Sequence, residues 1–223
     1  MKKTVFFIAI TLFTLNGFAQ GFGVNLGYNM ANMKLYYDGK PYSGEDDMFK
    51  YQKSLGSLGI GVNYDYELSE NLYVAGGLNY VQRGFKISHS EGNNSVEIKT
   101  KINYLDIPVM LKYNFEIGDE MYLYGKFGPS IGLTLGGSLV TKVTYEGSTG
   151  TDKDILEFGN DKDKDNFKSG DFGLNFGVGV LYNNIEVGIN YYSGMKNIGL
   201  GEKQDYKHRV FSLMVGYRLD LGE

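Results

Sequence analysis

The sequence contains no cysteine and little proline, and each shortage excludes whole classes of protein. With zero Cys in 223 residues, the chain has no disulfide scaffold, no thiol chemistry and no cysteine for an N-terminal lipid anchor. Only 3 prolines accompany 32 glycines, so neither a collagen repeat nor a proline-rich disordered chain fits. The rest of the composition must decide what the chain builds.

Charge is also sparse. Charged residues make up 22% of the chain and the formal net charge is −4, which is too mild for a disordered polyanion or a nucleic-acid-binding protein. Aromatic residues reach 15% and supply apolar surface for an ordered structure. We therefore expect a folded protein with no nucleic-acid partner.

The N-terminus has the pattern of an export signal. Two lysines precede an apolar run over 5–15, and the small residues Gly17 and Ala19 follow. This order is typical of a secretory signal peptide, whereas a transmembrane helix needs roughly 20 apolar residues. We predict a cleaved signal peptide over 1–19 and a single mature domain over 20–223.

No later stretch holds 18 consecutive apolar residues, so no membrane-spanning helix is expected. The mature chain alternates instead. Near the C-terminus, for example, Phe211, Leu213 and Val215 alternate with Ser212 and Met214. Only an extended strand presents a period of two as two faces. Eight segments of the chain show this pattern and predict eight strands.

The connections between these segments alternate in length. The short ones lie at 69–71, 118–120 and 183–184, and the long polar ones at about 32–54, 86–97, 142–168 and 196–206. Alternating short turns and long loops over an even number of strands is the layout of an outer-membrane barrel. We predict an all-β fold, a transmembrane eight-stranded antiparallel up-and-down β-barrel, with four long extracellular loops and both termini in the periplasm.

The two faces of each segment indicate which side meets lipid. One face carries Leu, Val, Ile, Phe and Tyr, while the other carries Gly, Ala, Ser and Asn between its charges. Small residues suit the crowded interior of an eight-stranded barrel, and a soluble barrel would instead fill its interior with the apolar face. The pattern therefore favours apolar side chains directed outward into lipid.

Two stretches carry a family resemblance. The sequence YLDIPVMLKY at 104–113 and the sequence YGKFGPS at 124–130 resemble neighbouring strands of the PorT-like outer-membrane β-barrel proteins, often named the porin family. The opening FGVNLGYN at 22–29 is similar to the first strand of that family. The resemblance implies a barrel in the bacterial outer membrane, and the family as a whole has no single assigned activity.

Charged residues on the inward faces form the strongest polar constellation. The predicted interior network is Asp65, Glu67, Asp106, Lys112, Glu116, Lys126, Glu186, Arg218 and Asp220. An unpaired buried charge costs several kcal/mol, so a narrow barrel must pair such groups. Because eight strands leave an interior filled by side chains while aqueous porins use about 16 to 18 strands, we favour a structural ion-pair plug over a path for protons or small ions.

The candidates for chemistry are weak. Ser212 stands four residues from His208 along a strand, roughly 13 Å away and too far for the contact a hydrolase needs. His208 itself is expected to be exposed beside a loop. Acids alternate over 161–165 as in a calcium loop, but Asn166 and Phe172 stand where an EF-hand requires Gly and Glu. We therefore expect no catalytic, cofactor or metal site.

Aromatic residues gather in the first long loop. They are Tyr36, Tyr37, Tyr42, Phe49 and Tyr51. They could form a contact surface for a glycan or a protein, or extend the strands above the membrane. The sequence leaves both interpretations open.

The leading hypothesis is a non-enzymatic outer-membrane barrel that binds through its loops or its lipid-facing wall, including as a subunit of a larger outer-membrane transport or secretion complex. Its expected partners are outer-membrane lipid or lipopolysaccharide and other outer-membrane proteins. The alternatives are a small-solute channel and, less favoured, a lipid A-modifying enzyme.

Overall fold

A computed structural model describes residues 19–41 and 48–219. The strands are β1 (Ala19–Tyr37), β2 (Lys40–Pro41), β3 (Gln52–Lys53), β4 (Leu55–Ser69), β5 (Leu72–Glu91), β6 (Asn94–Gly118), β7 (Met121–Tyr145), β8 (Ser148–Ile155), β9 (Asp171–Tyr182), β10 (Ile185–Gly194) and β11 (Gln204–Leu219). One 3-10 turn covers Met48–Tyr51. Residues 1–18 of the predicted signal peptide, Tyr42 of the aromatic loop group and Asp220 of the interior network lie outside the described residues.

Eight of these strands form a closed ring. β1, β4, β5, β6, β7, β9, β10 and β11 follow one another as antiparallel neighbours, and β11 pairs back onto β1. The closing ladder is long, running from Phe22 opposite Leu219 to Tyr37 opposite Gln204. The short strands β2, β3 and β8 attach to β1, β5 and β7. The predicted eight-stranded antiparallel up-and-down barrel is confirmed.

The two ends of the barrel differ in their connections. Two-residue turns join β4 to β5, β6 to β7 and β9 to β10 at one end, which we call the short-turn end. Asn71, Glu120 and Asn183 have φ of 65°, 54° and 49° in these turns, the left-handed conformation that tight hairpin turns require. All longer excursions of the described chain lie at the opposite end, the long-loop end.

The outer wall is apolar. Leu26, Leu58 and Ile60 are 64%, 76% and 58% exposed, and large apolar side chains of all eight barrel strands are exposed in the same way. We call this surface the apolar belt. A monomer in water rarely exposes so much contiguous apolar surface, whereas a barrel wall in lipid must. In the described part of the chain, no helix has the length and apolar character to cross a membrane.

Two of the predicted long loops are largely strand. Within 86–97 only the turn at 92–93 interrupts the β5–β6 ladder, and 142–168 begins with the end of β7, a turn and β8. The loops predicted at 86–97 and 142–168 are therefore in large part continuations of the strands. These segments keep the period of two, but their outward positions hold lysines such as Lys86 and Lys142 in place of apolar residues. The result is an arm of β5, β6, β7 and β8 that rises beyond the apolar belt.

Candidate functional site

A cluster of five ionised side chains crosses the barrel interior toward the short-turn end. Its members, which we call the turn-end cluster, are Asp65, Lys112, Lys126, Glu186 and Arg218. Lys112 Nζ lies 3.1 Å from Asp65 Oδ2 and 2.9 Å from Glu186 Oε2. Lys126 Nζ lies 3.2 Å from Glu186 Oε1, and Arg218 Nη2 lies 2.6 Å from Asp65 Oδ2. Because the five residues come from five different strands, their ion pairs tie opposite walls of the barrel together.

Tyr124 packs within this cluster. Lys112 Nζ and Lys126 Nζ stand 4.6 Å and 5.1 Å from the centre of its ring, a cation–π arrangement. The tyrosine hydroxyl lies against Gly179 and Gly188, where any Cβ would collide with it. The interior glycines therefore provide the space that a large aromatic side chain occupies inside a narrow barrel.

A second ionic cluster lies nearer the long-loop end. This loop-end cluster consists of Arg83, Asp106, Asp171 and His208, which are all buried. Arg83 Nη1 donates to Asp171 Oδ2 at 2.8 Å, and its Nη2 donates to Asp106 Oδ2. His208 Nδ1 lies 3.0 Å from the same Asp171 oxygen. Arg83 thus bridges two carboxylates on β6 and β9 from its place on β5.

The guanidinium of Arg83 is also held by two aromatic rings. Its Cζ stands 3.7 Å from the ring centre of Tyr192 and 4.9 Å from that of Tyr104. The Tyr104 ring meets His208 edge-on at 5.7 Å. A planar cation suits such a site better than an ammonium would, because it stacks on rings while it bonds two carboxylates.

The two clusters complement each other in charge. The turn-end cluster has three cations and two anions, whereas the loop-end cluster has one cation and two anions when His208 is neutral. Neither surplus exceeds one charge, and every ionised member has a partner at ion-pair distance. Such pairing is what permits ionised groups to be buried.

A polar cavity of about 110 Å³ lies between the clusters. Six asparagines line it, namely Asn25, Asn29, Asn63, Asn79, Asn175 and Asn190. Asn25 Nδ2 donates to the Oδ1 atoms of Asn63 and Asn79 at 3.4 and 3.3 Å. Among the described residues, the buried Asn29 Nδ2 and Ser130 Oγ on its wall have no protein partner. A cavity of this size with such walls suits water.

Apolar side chains close the long-loop end. The buried members of this apolar cap are Met33, Phe85, Ile87, Ile102, Tyr104, Leu156 and Ile198. They come from the barrel strands, from the arm and from the segments after β8 and β10. The loop over 156–170 is fixed in this position, since Lys168 N donates to Ile198 O at 2.8 Å and Lys196 Nζ donates to Ser169 O at 2.6 Å.

The loop aromatics lie in two places. Phe49 and Tyr51, in the 3-10 turn, are half-buried and pack against the apolar cap, and the Tyr51 ring lies 4.1 Å from that of His89. They lie in a turn and not in an extended strand, and they contribute to the apolar cap. Tyr36 and Tyr37 belong to the extended end of β1, where Tyr37 is exposed.

The predicted interior residues meet in two places and not in one. Asp65, Lys112, Lys126, Glu186 and Arg218 form the turn-end cluster, while Asp106 joins the loop-end cluster. Glu67 is partly exposed and Glu116 is exposed, and no ion pair of either is found in the described part of the chain. The sequence analysis missed Arg83 and Asp171. Arg83 follows Val81 by two positions and precedes the predicted loop at 86–97, so the same alternation places it on the inward face.

The expectation of an exposed His208 is wrong. Its side chain is fully buried between Asp171 and Tyr104, because β11 begins at Gln204 and places position 208 inside the ring. The hydroxyl of Ser212 donates to Asn29 Oδ1 at 2.7 Å and takes no part in this cluster.

The acids at 161–165 bind their own backbone. Asp165 Oδ2 accepts from Asp161 N at 2.8 Å, and Asp161 Oδ1 accepts from Asp163 N at 3.1 Å. Over residues 19–41 and 48–219, no three His, Asp or Glu side chains are grouped as metal ligands.

Comparison with protein families gives one match. A family model described as outer membrane protein beta-barrel domain matches residues 18–199. A comparison with curated proteins finds no match.

Several solved structures are similar to this chain. Ail, the attachment invasion locus protein of Yersinia pestis, is 16% identical with a TM-score of 0.36, over 90% of this chain and 99% of Ail. OprG from Pseudomonas aeruginosa is 15% identical with a TM-score of 0.39, over 91% and 98% of the two chains. Neisserial surface protein A is 15% identical with a TM-score of 0.41, over 90% and 97%.

Proposed function

The chain belongs to the outer membrane protein beta-barrel domain family, and from that premise we propose that it is a non-enzymatic barrel that acts through its surfaces and not through an open pore. The observation that carries the proposal is the filled interior. Two buried ionic clusters, each joining several strands, cross the barrel in succession, and the apolar cap covers the long-loop end. A solute would have to separate buried ion pairs to pass.

Conductance measurements test this proposal. The purified barrel, refolded into a planar bilayer, is expected to show no discrete conductance steps, since eight strands enclose an interior that side chains fill. The same preparation, incubated with lipid A, is expected to leave the lipid A mass spectrum unchanged. Reproducible single-channel steps would replace the proposal with a channel, and a shifted lipid A mass would replace it with an enzyme.

A small-solute channel is the second candidate because of the polar cavity. Its asparagine-lined walls are the part of the interior that water can enter. An enzyme has less support. His208 and Asp171 are in contact, but the nearest hydroxyl candidate on the same strand, Ser212, donates to Asn29, so the constellation of a serine hydrolase is not assembled.

We also propose that the short-turn end and both termini face the periplasm and that the long-loop end faces outward, as in other barrels with short periplasmic turns. Surfaces at the outer end could then dock the protein onto a larger transport or secretion complex. An epitope tag at the turn over 92–93 should label intact cells and recover partners from mild detergent extracts. Labelling only after lysis would reverse the orientation, and recovery as a lone monomer would contradict the subunit role.

The PorT-like resemblance supports a finer placement within the family. The two stretches that carry it, 104–113 and 124–130, lie on β6 and β7, which are neighbours in the barrel. Lys112 and Lys126 of the turn-end cluster belong to these stretches. We propose that the interior ion pairs are one reason why these stretches carry lysine at positions 112 and 126.

A further inference from the structure

The outer face of the arm is strongly basic. Lys86 on β5 stands opposite Lys99 on β6, Lys99 opposite Val140 on β7, and Val140 opposite Lys153 on β8. Three lysines thus occupy one row across four strands. Cross-strand like charges are destabilising unless an anion lies near them.

The adjoining rows extend this surface. Lys142 stands opposite Glu97, and Lys101 opposite Ser138; we call the five lysines at positions 86, 99, 101, 142 and 153 the basic wall. Their neighbours in sequence, such as Ile98 and Ile102, point the other way, into the apolar cap. A period of two therefore separates a basic face from an apolar one.

Among the described residues, Glu97 is the one acidic residue on the same outer face as the basic wall. Its carboxylate lies 2.7 Å from Lys99 Nζ and 3.5 Å from Lys86 Nζ, and the hydrogen bond from Lys99 lowers the pKa of Glu97. Lys101, Lys142 and Lys153 have no ion-pair partner among the described residues. Five cations against one anion is a local excess in a chain whose net charge is −4.

The basic wall continues the apolar belt upward. Leu105 and Tyr80 are cross-strand neighbours on the outer face, and Lys101 precedes Leu105 by four residues on β6, toward the long-loop end. At about 3.3 Å per residue and a strand tilt of about 40°, Lys101 stands roughly 10 Å above that pair. Lipid headgroups occupy only about 5–7 Å beyond the hydrocarbon on each side, so the wall begins near the headgroups and rises past them.

Resting on the proposed function, we propose that the basic wall binds the phosphate groups of a phosphorylated glycolipid in the leaflet around the barrel. Lysine ammonium groups bind phosphate as point charges, and basic residues next to a membrane attract anionic lipid. The wall faces sideways, in continuity with the lipid-facing surface, so a lipid that already surrounds the barrel reaches it without leaving the membrane. A glycolipid with phosphorylated sugars also has the height of the wall.

Lipid binding by matched variants tests this proposal. The triple variant K101Q/K142Q/K153Q removes the three lysines that lack ion pairs, and K162Q/K164Q/K203Q removes three exposed lysines from the long loops. Each lysine near a membrane surface contributes about five-fold in affinity, so the first variant is expected to bind a lipopolysaccharide with a phosphorylated core up to about 100-fold more weakly in neutral micelles. The loop variant should bind like the unchanged protein. Heat-modifiable migration on gels confirms that each variant is folded.

The probes separate the possible ligands. The phosphorylated lipopolysaccharide, its dephosphorylated counterpart and a soluble sulfated polysaccharide are each titrated at low and high salt, and only the first should bind in a manner that salt weakens. Equal affinity of both variants for the phosphorylated lipopolysaccharide, or equal binding of its dephosphorylated counterpart, overturns the proposal. Lysine-dependent binding of the polysaccharide alone assigns the wall to a soluble polyanion. Planar-bilayer recordings on the same samples test the closed interior separately, so the two proposals can fail independently.

Discussion

Replacing Arg83 with methionine is expected to lower the free energy of unfolding by about 3–5 kcal/mol, the typical cost of removing one partner from a buried ion-pair network. Methionine keeps much of the side-chain length but leaves Asp106 and Asp171 buried without their shared cation. His208 is then the remaining basic group in contact with Asp171, and it does not contact Asp106 in the described structure. The loss should therefore come from uncompensated carboxylates and not from a cavity.

The control for this prediction removes the charges of both carboxylates together with that of Arg83. In Arg83→Met combined with Asp106→Asn and Asp171→Asn, no carboxylate remains to be compensated, and most of the lost stability should return. The chain has no tryptophan, so the folded fraction is best read from heat-modifiable migration across a urea series in lipid vesicles. If the Arg83→Met variant has the same urea midpoint of unfolding as the unchanged protein, the bridging role of Arg83 is falsified.

The faces of the strands could be predicted from sequence, but their partners could not. An alternation with a period of two shows which face of the barrel wall carries a residue. It therefore predicted correctly that Asp65, Lys112 and Glu186 face the interior. The alternation does not give a residue's position along the barrel axis. That position determines that Asp106 pairs with Arg83 and that Glu116 is exposed at the short-turn end.

The extent of the strands was underestimated for a physical reason. A strand needs only about 9–11 residues to cross a bilayer, and the predicted loops at 86–97 and 142–168 begin or end inside the observed strands. β6 and β7 each have 25 residues, because above the membrane their inner faces still cover the apolar cap while their outer faces meet water. Polar outer positions make such a segment resemble a loop in composition, although the alternation continues.

The same underestimate concealed the loop-end cluster. Arg83 lies near the predicted end of its strand, shortly before the loop at 86–97, and His208 lies near the predicted beginning of another, shortly after the loop at 196–206. Once the strands are extended, both residues fall on the inner face, and the pairing of Arg83 with carboxylates from β6 and β9 follows from the barrel topology. This cluster combines residues from four strands, β5, β6, β9 and β11, and alternation within single segments cannot reveal that.

Substitution of Glu186 by glutamine is expected to destabilise the barrel by about 3–5 kcal/mol as well. Glu186 accepts from both Lys112 and Lys126, and among the described residues it is the only carboxylate within ion-pair distance of Lys126. Without its charge, Lys126 loses that carboxylate, and Lys112 and Arg218 share Asp65. Folding in vesicles over a urea series again provides the measurement.

Glu116→Gln is the matched control because Glu116 lies on the same inward face by sequence pattern but is exposed. Its substitution should change stability by no more than about 0.5 kcal/mol, as at most surface positions. A second comparison removes Lys126 together with Glu186, as K126Q/E186Q. This variant leaves Asp65 between Lys112 and Arg218 and should recover part of the loss. Equal costs for the glutamine substitutions at 116 and 186 would show that pairing across the interior does not stabilise the barrel. A larger loss of stability for Glu186→Gln, partly restored in K126Q/E186Q, would show that the filled interior depends on this network. The unpaired Lys126 cation, and not the missing carboxylate, would then account for the loss.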